Sequence, residues 1–283
     1  MNKMTDEELS ILIDEAVMGD AKALESVILS VQDLVFNLSL RMLGTFPDAE
    51  DATQDILLKV MTHLSSFRKE SSFSTWVFRI AVNHLKDYKK HMFADRPLSF
   101  EFYGNDIENA KIEEIPDLTQ NVERSLLAEE LKMSCTNVML QCLDAESRCI
   151  FILGTMFRVD SRLAGEILGL TPEAYRQRLS RVRKKMAEFL GRYCGEYGCG
   201  KCRCSERVDY AIQSHRINPG HLDYVNADVL EGKTMIGVKE AMEEIDGLAQ
   251  SFSFCKTYAS PEKIIQFIKD FLNSASFSVV KNM

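Results

Sequence analysis

The 283-residue sequence predicts an all-α protein: two helical bundles joined by a flexible acidic linker, with a small helical extension at the C-terminal end. Three observations predict it. Apolar residues recur at three- and four-residue steps almost throughout, with few of the alternating runs that mark strands. The periodicity fades between Phe93 and about Asn121, where Pro97, Gly104, Asn105 and Pro116 punctuate a polar, acidic stretch. It breaks again at CGEYGCGKCRC, a cysteine-rich segment beginning at Cys194.

Leu9, Leu12, Ile13, Ala16 and Val17 suit a first helix. Leu24, Val27, Ile28, Val31, Leu34, Val35, Leu38 and Met42 suit a second. GTFPD stops it, and Asp48 is expected to cap a third helix running through AEDATQDILLKVMTHLSSF. RKESS reads as a turn before a fourth, FSTWVFRIAVNHLKDYKKHM. Beyond the linker, helices resume at VERSLLAEELKMSCTNVMLQCL, AESRCIFILGTMF, SRLAGEILG and PEAYRQRLSRVRKKMAEFLGRY. GVKEAMEEIDGLAQSF and PEKIIQFIKDFLNS are amphipathic helices of the extension. The expected domains are residues 1–92, linker 93–121, a second domain 122–193 and the extension 194–283.

Composition narrows the function classes. Hydrophobic residues make up 46% and charged residues 27%, a globular rather than a disordered balance. The opening MNKMTDEELS lacks the basic-then-apolar layout of a signal peptide. No uninterrupted apolar run approaches the roughly 20 residues that span a bilayer. A cytoplasmic protein without a membrane partner is expected. Neither a Walker lysine loop nor a Gly-rich dinucleotide fingerprint occurs, and no enzyme activity or required cofactor is expected. The formal net charge of -8 argues against nucleic acid in bulk, yet Lys and Arg gather around Arg68–His91 and Arg176–Arg192.

The second cluster sits in SRLAGEILGLTPEAYRQRLSRVRKKM. Gly169 falls where a helix must stop and turn, Thr171 can cap the next helix, and Pro172 suits its first position. Tyr175, Leu179, Val182, Met186 and Phe189 form the apolar stripe. Arg176, Gln177, Arg178, Arg181, Lys184 and Lys185 fall largely off it. A short helix, a glycine turn and a basic second helix make a helix-turn-helix, the second helix placed for a major groove. Arginines near its start suit guanine edges, and Lys184 and Lys185 suit phosphates. A solvated face on an ordinary bundle helix is the competing reading.

EILGLTPEAYRQRLSRVRKKM resembles the promoter-reading region 4 of bacterial RNA polymerase sigma factors of the extracytoplasmic-function (ECF) group. Glu166, Ile167, Leu168, Gly169, Arg178, Leu179, Ser180, Arg181 and Arg183 match; Gly165, Ala174 and Tyr175 depart from the common alanine, threonine and valine. Arg176 stands where the family usually has lysine. DAEDATQDILLKVMTHLSSFRKESSFSTWVFRIAVNHLKDYKK is similar to region 2 of the same family. Its matches include Asp48, Ala49, Glu50, Asp51, Gln54, Phe67, Ser72, Phe73, Thr75, Trp76, Arg79, Ile80, Ala81, Asn83 and Asp87.

The resemblance implies a sigma factor that binds core RNA polymerase and directs promoter recognition, DNA melting and initiation. It implies that Asp51, Gln54 and Asp55 meet the β′ clamp, that the β flap is a further contact, and that an anti-sigma factor is a candidate partner. It implies −10 recognition by Arg68, Ser72, Trp76, Asn83 and Lys86, and −35 recognition by the basic helix. It implies that the acidic linker threads the polymerase cleft, where a plain spacer is the other reading. The runner-up function is a stand-alone helix-turn-helix regulator with a metal- or redox-sensing tail.

Cys194, Cys199, Cys202 and Cys204 lie within eleven positions. Cys199 and Cys202 have structural zinc spacing, and Cys194 and Cys204 would complete a thiolate site, with His215 or His221 as substitutes. A redox pair and inert thiols are the alternatives. Cys135, Cys142 and Cys149, at seven-residue steps, read as buried thiols. The stretch from Cys194 to about Tyr224 is similar to extensions carried by a subset of ECF sigma factors, with Cys199 an added residue. A thiol oxidoreductase using Cys199 and Cys202 is a poor third reading, because no thioredoxin-like βαβ pattern surrounds them.

Overall fold

The computed structural model describes residues 4–88, 98–109, 118–197, 200–227 and 257–274. They form two compact units: residues up to 88 together with 258–274, and residues 98–227. Among the described residues regular structure is helical, apart from two isolated backbone bridges, Cys194 with Cys202 and Asn218 with His221.

The first unit is built on α1 (Asp6–Val17), α2 (Ala21–Leu43), α3 (Phe46–His63) and α4 (Phe73–Asp87). Thr5 and Glu8 form a reciprocal capping box on α1, and Asp20 accepts the Lys22 and Ala23 amides at the head of α2. Gly44 ends α2 with φ 95, a left-handed geometry in which a side chain would strain. The expected cap of α3 is corrected: Thr45, three residues before Asp48, accepts the Asp48 amide. Asp48 instead lies in the first turn, where its carboxylate accepts the Thr45 hydroxyl at 2.6 Å. Helix α2 is central, burying Val27, Ile28, Val31, Val35, Phe36, Leu38, Leu40, Met42 and Leu43. It is long and apolar enough to cross a membrane, but most of that apolar length is covered by its neighbours. Val17, expected in the α1 stripe, is exposed, with Ile11 and Met18.

The unit has one further member. Helix α11 (Glu262–Leu272) packs on α2 and α3, burying Ile264 and Ile268, and the approach peptide buries Tyr258. The expected extension therefore does not form one module. Its residues 200–227 belong with the second bundle and 258–274 with the first. The expected helix GVKEAMEEIDGLAQSF lies outside the described residues.

The second unit holds α5 (Phe100–Asn109), α6 (Arg124–Gln141), α7 (Ala145–Phe151), α8 (Ser161–Leu168), α9 (Pro172–Tyr193) and α10 (Val208–Gln213). The expected helix through AESRCIFILGTMF is α only to Phe151 and widens to a π turn over Ile152–Met156. Part of the expected linker is helical: in α5, Phe100 and Tyr103 stack against Phe189 of α9 at 5.1 and 5.5 Å. Aromatic spacing, hidden among the acids, drives that helix onto the bundle. Residues 110–117 of the linker lie outside the described residues.

Residues 200–227 wrap α6. Leu127, Leu131, Val208, Ala211, Ile217 and Leu222 share one apolar cluster. Glu130 of α6 accepts the backbone amides of Asp223, Tyr224 and Val225 at 2.8–3.2 Å, which binds the segment's end to the helix. Arg124 makes a two-pronged pair with Asp209, and Arg216 pairs with Asp106 of α5 at 2.6 Å.

Candidate nucleic-acid interface

Helix α9 carries the strongest candidate surface. Gly169 closes α8 with φ 68, Thr171 accepts the Ala174 amide, and Pro172 opens α9. Tyr175, Leu179, Val182, Met186 and Phe189 are all buried, so the expected stripe is the face that packs on the bundle. Arg176, Gln177, Arg181, Lys184 and Lys185 are exposed, and Arg178 is half-buried.

The departures from the family pattern have structural reasons. A β-carbon on Gly165 would stand 2.7 Å from the Leu170 carbonyl oxygen, so this turn is too tight for alanine. Tyr175 reaches through the core to donate its hydroxyl to the Ile150 carbonyl at 3.1 Å, a span valine could not make. Burial raises its phenol above the ordinary range.

The cations are not equivalent. Arg176 spans Glu173 at 2.9 Å and Ser161 at 3.0 Å, which ties the start of α9 to the start of α8. Arg178 pairs with Glu146 of α7. Lys184 lies 3.9 Å from Glu188, and Lys185 sits over the Phe100 ring at 5.0 Å. Arg183, half-buried, donates to the Gly154 carbonyl and the Thr155 hydroxyl, pinning the π turn to α9. An anion approaching α9 meets Gln177 and Arg181 unobstructed and competes with weak, exposed pairs at the others.

In the first unit, α3 and α4 flank an open groove of about 630 Å³ lined by Asp55, Lys59, His63, Ser66, Trp76, Ile80, Asn83, His84, Asp87 and Tyr88. It brings Trp76 and Asn83 together with Asp55, so residues expected for −10 DNA and for polymerase share one depression. Arg68 and Lys86 are exposed and lie outside the groove lining. Ser72 is committed elsewhere: it caps α4, accepting the Thr75 amide and bonding the Thr75 hydroxyl at 2.7 Å. Phe67, Phe73 and Trp76 form an aromatic trio with centroids 5.4–5.8 Å apart, which fixes Trp76 at the groove edge.

The expected polymerase-binding residues lie on α3, Asp51 and Asp55 exposed and Gln54 half-buried. Their field is felt nearby: burial first, then Asp51, Asp55 and Asp48, push the Tyr88 phenol up. His84 faces Lys59 at 2.7 Å and Asp55 at 3.8 Å. Burial and the Lys59 ammonium hold its imidazole below the ordinary value, against the opposing pull of Asp55 and Asp87.

The cysteines form a different arrangement from the expected set. Cys194 and Cys202 are paired by a parallel bridge, through the Gly195 amide to Cys202 and the Cys202 amide to Tyr193. Cys202 and Cys204 instead face Cys135 of α6 across a cavity of about 30 Å³. The Cys135 thiol meets the Tyr103 hydroxyl at 3.0 Å. Burial pushes Cys135 and Cys204 up to about 12 and raises Cys202. These thiols are protonated at neutral pH, which makes them poor nucleophiles. Among the described residues no three Cys, His, Asp or Glu side chains converge closely enough to hold a metal ion. Cys199, the fourth expected ligand, lies outside the described residues, and the four-cysteine set is described only at Cys194, Cys202 and Cys204. Neither Glu130 nor Cys135 stands out in the sequence, because an isolated acid or thiol on an amphipathic helix has no local signature.

Residues 27–91 match the family described as sigma-70 region 2. The RNA polymerase sigma-H factor of Pseudomonas aeruginosa is 26% identical over 140 residues, 49% of this chain and 71% of that protein. The ECF RNA polymerase sigma factor SigW of Bacillus subtilis is 26% identical over 183 residues, 63% of this chain and 94% of that protein. The ECF RNA polymerase sigma-E factor of Escherichia coli is 32% identical over 122 residues, 43% of this chain, and the match spans 63% of that protein. With a region 2 match over the first bundle and a helix-turn-helix in the second, the chain is similar to RNA polymerase sigma factors of the ECF group.

Proposed function

We propose that this sigma factor joins core RNA polymerase in the cytoplasm through the acidic edge of α3, holds the −10 element against α4, and reads the −35 element with α9. The single observation that carries the reading is α9 itself: a helix whose apolar stripe is wholly buried and whose Arg176, Arg181, Lys184 and Lys185 are exposed, on a chain of net charge -8.

Asp51, Gln54 and Asp55 suit a basic helical hairpin, the β′ clamp, and the second unit suits the β flap. The groove beside them suits an unstacked base, because Trp76 offers a ring face, Asn83 a donor and acceptor, and Lys59 and Lys86 a backbone grip. Ser72 serves this site through the α4 cap rather than by touching a base. On α9, Gln177 and Arg181 are assigned to base edges, Lys184 and Lys185 to phosphates, and Arg176 and Arg178 to both positioning and contact. An anti-sigma factor is a further partner by virtue of the family. The role is that of an initiation factor, with bond-making left to the polymerase.

Permanganate footprinting on a promoter with this sigma factor and core enzyme tests the reading. Thymines near −10 become reactive with the wild type and stay protected with Trp76→Ala and Asn83→Ala. Equal reactivity in all three would remove the groove from the account.

A further inference from the structure

The C-terminal segment occupies a built site on the first bundle. Asn37 of α2 donates to the Tyr258 carbonyl at 2.7 Å and accepts its amide at 2.9 Å, so one side chain satisfies both backbone groups. Asp33, one turn earlier, accepts the Ser260 amide and hydroxyl at 2.9 and 3.0 Å. Arg41, one turn later, stands over the Tyr258 ring at 5.7 Å, and Phe46 of α3 meets that ring edge-on at 5.8 Å. Lys263 pairs with Glu50, and Ile264 and Ile268 are fully buried.

The receiving surface has an unusual chemistry for a core helix. Asp33, Asn37 and Arg41 form a polar strip at four-residue spacing along α2, continued by Glu50 on α3. The Tyr258 carbonyl and amide and the Ser260 amide all find side-chain partners on this strip, so the backbone groups of the seated segment are satisfied there. With it, Asn37 and Arg41 are only 2% exposed. The seal is Tyr258, Ile264 and Ile268, a small apolar contribution that a larger partner surface can replace. The strip also adjoins the polymerase-facing edge: Glu50 is next in sequence to Asp51 and one turn before Gln54.

We propose that Tyr258–Leu272 is a cis-acting occupant of the α2–α3 surface and competes with core polymerase for it. The inference rests on reading Asp51, Gln54 and Asp55 as the polymerase-binding edge. Asp51 and Asp55 stay exposed with α11 seated, but Lys263 is held on Glu50 beside them, so a basic clamp that reaches Glu50 has to displace Lys263, and whatever draws the segment away raises the share of competent sigma factor.

The test uses the full chain. Affinity for core polymerase is measured for the wild type, for Lys263→Glu/Ile268→Asp, and for Asp51→Lys/Asp55→Lys in both backgrounds. A peptide of residues 257–274 is added to each, and circular dichroism follows the helical signal. Loosening the segment is expected to tighten core binding by roughly 5–150-fold, the usual range of intramolecular coupling. The peptide is expected to reverse that gain. Should the loosened variant lose its helical signal, peptide added in excess to the wild type must still weaken core binding. Unchanged or weaker binding after loosening, with charge reversal still harmful, overturns the proposal and leaves the polymerase edge standing. Charge reversal without effect in either background overturns the polymerase edge itself.

Discussion

Arg181 and Arg176 show how two arginines five residues apart on α9 come to differ. Arg176 is spent partly on Glu173 and Ser161, whereas Arg181 is exposed on the same helix. Arg181→Ala is therefore expected to cost about 1–3 kcal/mol at a cognate −35 sequence and little at a scrambled one. Lys184→Ala is expected to weaken both equally and lower the salt slope by about 1. Electrophoretic shift of the holoenzyme on both sequences, across salt, separates the two; identical profiles would place both side chains on phosphates. His84 gives a second residue-scale expectation. Its folded imidazole sits below the ordinary 6.5, so the neutral form is favoured in the folded state. The associated stability is present above about pH 6.5 and is lost as pH falls through the depressed folded value. Melting of the wild type should drop between pH 7.5 and 5.5 more steeply than that of His84→Gln, and parallel slopes would remove His84 from that dependence. The apolar stripe of α9 was legible residue by residue, because burial leaves a 3.6-residue period. Ser72 was legible as important but not as a cap, since a hydroxyl's partner depends on where the chain turns.

At the scale of elements, the helix-turn-helix stands on two close backbone approaches. Gly169 needs its left-handed φ, and Gly165 leaves no room for a side chain beside the Leu170 carbonyl. The clashing atom is backbone and cannot swing aside, so Gly165→Val is expected to cost about 1–3 kcal/mol in stability by overpacking. Thermal unfolding, read with DNA affinity, would show both falling together; an unchanged melting curve would mean the turn relaxes. Glu130→Ala is the corresponding change in α6. It strips the acceptor from three backbone amides, and the segment to Val225 should detach at a cost of about 1–3 kcal/mol, seen as faster amide exchange at 223–225. Unaltered exchange would show that the apolar cluster alone holds it. Whereas α6 buries polar Glu130, Thr136, Asn137 and Gln141 along with its apolar residues, helices α2, α4, α8 and α9 follow their apolar periods closely. The start of α3 and the helix in the linker do not. In α3 the cap is Thr45, hidden because Asp48 looked equally good. In α5 the signal is two aromatic positions, Phe100 and Tyr103, within an acidic stretch that reads as solvated.

For the whole molecule, charge segregation along the sequence foretold the surfaces better than net charge did. An acidic chain presents a basic helix, α9, in its second bundle and an acidic edge on α3 in its first. The long-range pairing of the last helix with the first bundle had no such trace. Tyr258 meets Asn37 across 221 positions, and amphipathic periodicity says only that α11 needs a partner, not which one. The cavity that Cys202 and Cys204 share with Cys135 had no trace either, because Cys135 lies some 67 positions away on another element.

The most direct test of the central claim is run-off transcription from a promoter carrying −35 and −10 elements. The account predicts discrete transcripts only when this chain and core RNA polymerase are both present, with output lost on Arg181→Ala/Lys184→Ala and on Asp51→Lys/Asp55→Lys. Tight promoter binding by the chain alone, with no transcript on adding core enzyme, would contradict it.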